Sequence, residues 1–238
     1  MHKFYFIFLM LTAALTLSAQ ESAPEVELKV TDDFVEFKKS INESSDRLVV
    51  DLSYDMLLNL PDSIKTKGFS RGINVYFTYD VVLGNSRFSI APGIGFGSNN
   101  YFMNYQISSD SSGAYFDKFP EGVKAKKSKM GVTYIDIPVE LRFRSVPNKK
   151  GTSWKLAAGF KAGYMVQSKW KYKGTDFGKG KKFKQFDIEN VNKFRYGVML
   201  RGGYGIWNLF AYYSLSDMFN DKGPKMTPLS FGISINGL

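Results

Sequence analysis

The chain has 238 residues, of which 32 are Lys or Arg and 22 are Asp or Glu, so its formal net charge is +10. It contains no cysteine, which excludes disulfide frameworks, thiolate catalysis and cysteine metal sites. Its one histidine is His2, which lies inside a predicted signal peptide. Removal of that peptide leaves no imidazole for a catalytic triad or a metal ligand. We therefore expect a protein that is not an enzyme and has no catalytic residues, no metal site and no cofactor.

The first 19 residues have the pattern of a secretory signal peptide. Lys3 precedes an apolar run over residues 4–17, and Leu17-Ser18-Ala19 offers a small-residue cleavage site before Gln20. An uncleaved anchor is the alternative, and it is disfavoured because polar residues follow at once. Residues 20–46 are acidic and lack strand alternation, and they are interpreted as a periplasmic leader, with a docking element as the alternative.

Residues 47–238 carry a strand pattern that recurs about eight times. In its clearest copy Ile135, Ile137 and Val139 alternate with Asp136 and Glu140. Charged side chains on a face that meets no bulk core indicate a barrel that is apolar outside and polar inside. The predicted strands cover residues 47–58, 69–82, 88–97, 135–144, 154–167, 194–206, 209–215 and 229–236. The fold class expected is all-β: an eight-stranded antiparallel transmembrane β-barrel of up-and-down type.

The connections between these strands alternate in length. Short links, such as residues 83–86 and Trp207-Asn208, alternate with longer ones, of which about 98–129 and 168–193 are the longest. Short periplasmic turns and long extracellular loops are typical of outer-membrane barrels. An even strand count also places both ends of the barrel on the periplasmic side. The predicted location is therefore the cell outer membrane.

Local features refine the prediction. Pro92 cannot donate to a strand ladder, so we expect a bulge or local irregularity there, and Pro138 raises the same point. Aromatic residues near the strand ends are expected to form interfacial girdles. They are Tyr54, Tyr79, Tyr134, Trp154, Tyr164, Trp207 and Tyr213.

Four stretches of the chain resemble the PorT-like outer-membrane β-barrel proteins of Bacteroidetes. They read YIDIPVELR (residues 134–142), AAGFKAGY (157–164), YSLSDMF (213–219) and PLSFGISI (228–235). The resemblance covers residues 47–238. It implies an integral outer-membrane protein with a structural or interaction role, accessory to protein secretion of type IX or to surface binding. It implies no catalytic residue.

The polar phase of the strands supplies a candidate lumen charge network. An eight-stranded barrel is only wide enough for side chains to fill it, so inward charges should pair. Symmetric pairing about the turn near residue 149 would place Asp136 opposite Lys161, and Arg201 at similar depth. We favour a network that plugs the barrel, and the alternative is a narrow ion path or gated site. The candidates are Asp136, Glu140, Arg142, Lys161, Arg195 and Arg201.

Two basic loops, both predicted to be extracellular, form the second candidate site. Lipopolysaccharide phosphates lie at that surface, and lysines would bind them as point charges. We favour a solvated charged loop that balances the anionic leaflet, and phosphate binding is the alternative. The candidates are Lys124, Lys126, Lys127 and Lys129 in one loop and Lys179, Lys181 and Lys182 in the other.

Three functions remain compatible with the sequence. The first is a non-enzymatic barrel acting as scaffold or secretion accessory, with outer-membrane lipid, lipopolysaccharide and secretion-system or periplasmic proteins as partners. The second is a small pore or transporter, which the narrow lumen disfavours. The third is a soluble secreted β-barrel that binds a small ligand inside, with the aliphatic face turned inward. The glycine-rich polar phase and the alternating loop lengths favour a membrane barrel over the third function. Nucleic acid is not an expected partner of an exported chain.

Overall fold

A computed structural model describes residues 47–60, 69–110, 113–176 and 178–236. The predicted signal peptide and the leader at residues 20–46 lie outside the described residues. The part of the chain that is described includes no helix long and apolar enough to cross a membrane.

The described residues form twelve strands. Their bounds are β1 Leu48–Leu58, β2 Arg71–Thr78, β3 Val81–Val82, β4 Phe88–Met103, β5 Tyr105–Asp110, β6 Gly113–Lys118, β7 Val123–Arg144, β8 Trp154–Asp176, β9 Lys179–Phe186, β10 Phe194–Tyr204, β11 Trp207–Ser214 and β12 Thr227–Asn236.

Eight of these strands close into a barrel, with β2 and β3 counted as one. The hydrogen-bonded order is β10-β11-β12-β1-β2-β4-β7-β8, and β8 pairs again with β10, which completes the ring. β3 continues β2 along β4 in the same register, and every pairing is antiparallel. The predicted eight-stranded antiparallel barrel is confirmed. Its short links lie at one end, between β3 and β4, β7 and β8, and β10 and β11; we call this the turn end.

The two faces of the strands have the polarity that the sequence predicts. Ile137 on β7 is 55% exposed on the outside, whereas its neighbour Asp136 is 0% exposed inside. The same alternation holds across the barrel, so a continuous apolar band surrounds a polar interior. The soluble alternative required aliphatic side chains inside and charges outside, and the observed faces contradict it.

Beyond the apolar band the sheet continues as an extension away from the turn end. β4, β7 and β8 run on past the barrel, β9 adds to the outer edge of β8, and β5 and β6 form a separate hairpin. Much of the two regions predicted as long loops is therefore strand, and that prediction was wrong. The signal was present in the alternation of Lys169 and Lys171 with Trp170 and Tyr172, which has the period of a strand.

A β-bulge separates the barrel from the extension on β8. Thr133 of β7 pairs with Gln167, but Tyr134 pairs with Met165, so Val166 is an extra residue. Because the period of a strand is two, one extra residue moves all later side chains to the opposite face. On β8, the inward side chains are thus odd-numbered between the turn end and the bulge. Beyond the bulge they are even-numbered, and Trp170 and Tyr172 are buried there.

The interior of the extension is apolar. A buried cluster fills it and closes the barrel above its polar lumen. The β5–β6 hairpin and the segment after it pack on this cluster, with the Phe116 ring 5.6 Å from that of Phe219 and Phe119 5.2 Å from Tyr172. We call this cluster the apolar cap; its large members include Tyr101, Met130, Tyr134, Trp170, Tyr172, Met218 and Phe219.

Two local expectations have different outcomes. Pairing of β4 with β7 stops after Pro92–Val139 and resumes in the same register at Gly95–Asp136, so the irregularity at Pro92 is a gap in the ladder and not a bulge. Pro138 lies across that gap, and neither proline has an N–H to donate. The expected girdle position of Tyr134 is wrong, because its side chain is buried in the apolar cap.

Candidate functional site: a paired lumen and a basic outer face

The centre of the lumen is an ion pair between Asp136 of β7 and Arg195 of β10. Arg195 donates from Nε to Oδ1 at 2.9 Å and from Nη2 to Oδ2 at 2.5 Å. This two-pronged contact is the strong form of an arginine–carboxylate pair. Arg195 also donates from Nη1 to the Asn99 side-chain oxygen at 2.8 Å, and its guanidinium lies 4.0 Å from the ring centre of Tyr134. One arginine therefore ties three strands together across the lumen.

Lys161 reaches the same carboxylate indirectly. Its Nζ donates to Tyr76 Oη at 3.2 Å, and that hydroxyl donates to Asp136 Oδ2 at 3.2 Å. The ammonium also lies 3.7 Å from the ring centre of Tyr212. The predicted opposition of Asp136 and Lys161 is wrong, because Asp136 pairs with Gly163 in the β7–β8 ladder. In the observed register Lys161 pairs with Pro138, two positions along β7 from Asp136.

A second network lies closer to the turn end. Arg201 of β10 donates to Asp51 Oδ1 at 2.6 Å and to Glu140 Oε1 at 3.2 Å. Arg142 donates to the other oxygen of Glu140 at 2.7 Å and to Asp80 Oδ2 at 3.1 Å. Arg201 thus lies at the depth of Glu140 and Arg142, so the prediction that it lies at a depth similar to that of Asp136 is wrong. The structure brings all six predicted lumen residues into these two networks.

Tyr76 and Asn99 are among the lumen residues that the sequence analysis does not name. Tyr76 lies in the same phase as Asn74 and Thr78 on β2, so its inward direction was readable from the alternation. Asn99 fell within a predicted loop, whereas the structure places it on β4, where it also donates to Asp55 at 3.0 Å.

Glycines create the space that the central pair occupies. A Cβ on Gly163 would collide with Asp136 Oδ1, and one on Gly97 would lie 2.7 Å from Asp136 Oδ2. Real Cβ atoms do not approach oxygen this closely, so any larger residue would displace the carboxylate. The inward-facing glycines Gly97 and Gly163 thus leave the space that the side chains of Asp136 and Arg195 occupy.

The lumen has little free volume. The cavity at the turn end, lined by Arg142, Arg144 and Arg201 among others, measures about 20 Å³. That is room for roughly one water molecule. At the other end the apolar cap covers the networks. The ion-pair networks and the apolar cap therefore occupy the interior of the described barrel between its two ends.

The predicted basic loops form strands in the extension. Lys124, Lys126, Lys127 and Lys129 lie on β7, and Lys179, Lys181 and Lys182 lie on β9. Because of the β8 bulge, lysines from β7, β8 and β9 share the outer side of the sheet. We call this surface the basic outer face; it consists of Arg71, Lys127, Lys129, Lys169, Lys171, Lys173, Lys182 and Lys184.

The basic outer face is arranged in rows that cross the strands. Lys171 pairs with Lys129 on one side and Lys184 on the other, while Lys173 pairs with Lys127 and Lys182. Directly opposed residues have Cβ atoms about 5 Å apart, at which like charges repel. Partial burial, together with the charges of Lys127 and Lys171, holds the pKa of Lys129 below its usual value. Partial burial and the charges of Lys171 and Lys184 likewise lower the pKa of Lys169.

The described residues contain no cluster of His, Cys, Asp and Glu that could hold a metal ion. Three acids of the lumen, Asp51, Asp136 and Glu140, are engaged by arginine, as their short contacts show.

A closed barrel with an apolar band outside and paired charges inside defines the class of outer-membrane β-barrels, because only closed strands satisfy the backbone in lipid. The family model of the outer membrane protein beta-barrel domain matches residues 36–220, and the chain belongs to this family. It resides in the outer membrane.

Two crystal structures of Ail, the attachment invasion locus protein of Yersinia pestis, are similar to this chain. The first has 10% sequence identity and a TM-score of 0.36, and the match covers 80% of this chain and 95% of Ail. The second, in complex with the heparin analogue sucrose octasulfate, has 13% identity, the same TM-score and the same coverage. No curated protein matches the chain significantly.

Proposed function

We propose that this protein is a non-enzymatic outer-membrane barrel with a sealed lumen, which acts through contacts made by its extracellular extension. The observation that carries the proposal is the double closure of the barrel. Arg195 and Arg201 occupy the lumen in ion pairs, and the apolar cap covers them. The partners are outer-membrane lipid and lipopolysaccharide on the outer side, and periplasmic or secretion-system proteins at the other end.

The arrangement of the lumen acids supports a role without catalysis. Asp136 and Glu140 lie four residues apart on β7, about 13 Å along the strand. Each is held by a different arginine, Arg195 and Arg201 respectively. In glycoside hydrolases, by contrast, the two reacting carboxyl groups stand about 5–10 Å apart and flank the same glycosidic bond.

Conductance tests the sealed lumen. The purified, folded protein in a planar lipid bilayer should pass no steady current. The variant Arg195→Ser/Arg201→Ser removes only one of the two closures and should also stay silent, because the apolar cap still covers the lumen. Folding of both proteins is checked by the change in gel mobility on boiling. A steady current from the unaltered protein would contradict the proposal.

A second candidate is a PorT-like accessory role in protein secretion. It is favoured by the four stretches that resemble that family, of which residues 134–142 and 157–164 pair with one another on β7 and β8. Deletion of the gene in a bacterium of the phylum Bacteroidetes should reduce protein export across the outer membrane, and the unaltered gene should restore it. Unchanged export with an intact envelope would exclude this role.

A further inference from the structure

The basic outer face is continuous with the apolar band below it. Along the outside of β8 the apolar residues Phe160 and Tyr164 give way, just past Val166, to Lys169, Lys171 and Lys173. At about 3.3 Å per residue, Lys169 lies roughly 10 Å along the strand from Val166 and Lys173 roughly 23 Å. Strand tilt shortens these heights. The lysines therefore begin where the lipid headgroups begin.

Among the residues that the structure describes, no acid forms an ion pair with a cation of this face. Within the residues that the structure describes, the ion pair of the extension joins Asp176 to Lys181, which is not part of the face. Instead, several of these ammonium groups lie over aromatic rings in cation–π contacts. Lys184 lies 4.2 Å from the ring centre of Phe186, and Lys127 and Lys129 lie 5.4 and 5.8 Å from that of Phe102.

Rows of three lysines fit phosphate groups well. A phosphomonoester carries a charge of about −1.5 to −2 and three acceptor oxygens. Lys129, Lys171 and Lys184 meet across adjacent strands, so their ammonium groups can converge on one such group. An anion bound there would relieve the repulsion within the row. A lipid whose phosphates are fixed at headgroup height matches both the charge and the position of the rows.

We propose that the basic outer face binds the phosphates of lipopolysaccharide in the outer leaflet. The row Lys129, Lys171 and Lys184 takes a lipid A phosphate, and the row Lys127, Lys173 and Lys182, farther from the band, takes a phosphate of the inner core. This inference rests on the proposed function, because it requires that the extension lie outside the cell. It adds the phosphate groups that are bound, the residues that bind them and their order from the membrane.

Native mass spectrometry of the full-length protein, released from detergent micelles, measures this binding. The probes are lipid A with two phosphates and the same lipid A with both phosphates removed. The variant Lys129→Gln/Lys171→Gln/Lys184→Gln should bind the phosphorylated probe about 100-fold more weakly, at the usual contribution of each lysine near an anionic surface. The dephosphorylated probe should bind the variant and the unaltered protein equally.

A matched control removes the same charge elsewhere. The variant Lys149→Gln/Lys150→Gln/Lys222→Gln changes three exposed lysines outside the basic outer face and should bind as the unaltered protein does. Gel mobility before and after boiling verifies that each variant is folded. Should the triple variant not fold, the single change Lys171→Gln should still weaken binding about fivefold.

Three results would overturn the inference. They are equal binding of phosphorylated lipid A by the triple variant and the control, equal binding of both probes by the unaltered protein, and complete displacement of lipid A by inorganic phosphate at the same concentration. The last result would identify a site for soluble anions. Bilayer recordings on the same preparations separate this inference from the proposed function. A steady current contradicts only the sealed lumen, whereas loss of phosphate dependence in a silent protein contradicts only the lipid A site.

Discussion

Asp136 and Arg195 illustrate how single residues hold the lumen together. Both are buried, and the carboxylate receives two hydrogen bonds from the guanidinium and one from Tyr76. Removing one member of a buried ion pair leaves an uncompensated charge, which costs about 3–5 kcal/mol. Removing both charges together avoids that cost. The pair should therefore behave as a unit.

A double-mutant cycle tests this coupling. We expect Asp136→Asn and Arg195→Gln each to lower the free energy of unfolding by about 3 kcal/mol, and the double variant to lower it by about 2 kcal/mol less than their sum. Urea unfolding in phospholipid vesicles, followed by tryptophan fluorescence, measures these values. The exposed change Asp221→Asn is the control and should stay within about 0.5 kcal/mol. Additive single effects would show that the two residues act independently.

Alternation along the strands predicted which residues face the lumen, but not which of them touch. Residue phase depends on one strand alone, and it correctly turned Asp136, Lys161 and Arg195 inward. A contact such as that of Arg195 with Asp136 depends on β7 and β10, which are not neighbours in the barrel, and on side chains that reach across it. Symmetry about the β7–β8 turn gives no information on contacts across the lumen or on the exact register. The prediction that Lys161 lies opposite Asp136 was therefore wrong.

At the scale of elements, β8 carries the decisive irregularity. Its 23 residues form one strand, yet the bulge at Val166 makes the inward phase odd below and even above. Without the bulge, Lys169 and Lys171 would point into the apolar cap and Trp170 would face outward. One inserted residue therefore allows a single strand to serve two environments of opposite polarity.

Deletion of Val166 should disrupt the extension and spare the barrel. In the background Trp154→Phe/Trp207→Phe, Trp170 is the only tryptophan, and its fluorescence reports on the apolar cap. We expect the deletion to expose Trp170 to acrylamide quenching and to make the extension sensitive to protease, while the boiling-dependent gel shift persists. Deletion of Asp221, in the connection between β11 and β12, is the matched control and should leave quenching low. Unchanged quenching after deletion of Val166 would mean that the bulge does not set the phase.

Strand ends were predicted less well than strands, for a physical reason. The sequence criterion for a barrel strand was an apolar outer phase, and that criterion fails where the outside faces water. Above the apolar band of β7, Lys127 and Lys129 replace the aliphatic residues while Met130 and Val132 fill the inside. The alternation persists, but its polarity is reversed. Interpreting these regions as loops concealed the continuations of β4, β7 and β8 and the added strand β9.

At the scale of the whole molecule, the barrel has two segments of opposite polarity along one axis. In the first, apolar side chains lie outside and ion pairs inside; in the second, lysines lie outside and aromatic side chains inside. The first arrangement is stable in lipid and the second in water. The position where the polarity changes therefore marks one membrane boundary, and the short turns mark the other. This ordering predicts which parts of the chain are accessible from outside the cell.

The absence of cysteine from the sequence makes that ordering directly measurable, because a single introduced cysteine reports alone. On intact cells, a bulky maleimide that cannot pass the outer membrane should modify the variant Lys182→Cys on the basic outer face. Lys150→Cys, in the link between β7 and β8, should react only after the outer membrane is permeabilised, and Leu141→Cys, in the apolar band, only after denaturation. Gel shifts measure the modification, and equal reaction of all three denatured variants is the control. Reaction of Lys150→Cys on intact cells, with Lys182→Cys protected, would place the extension in the periplasm and leave its lysines without lipopolysaccharide to bind.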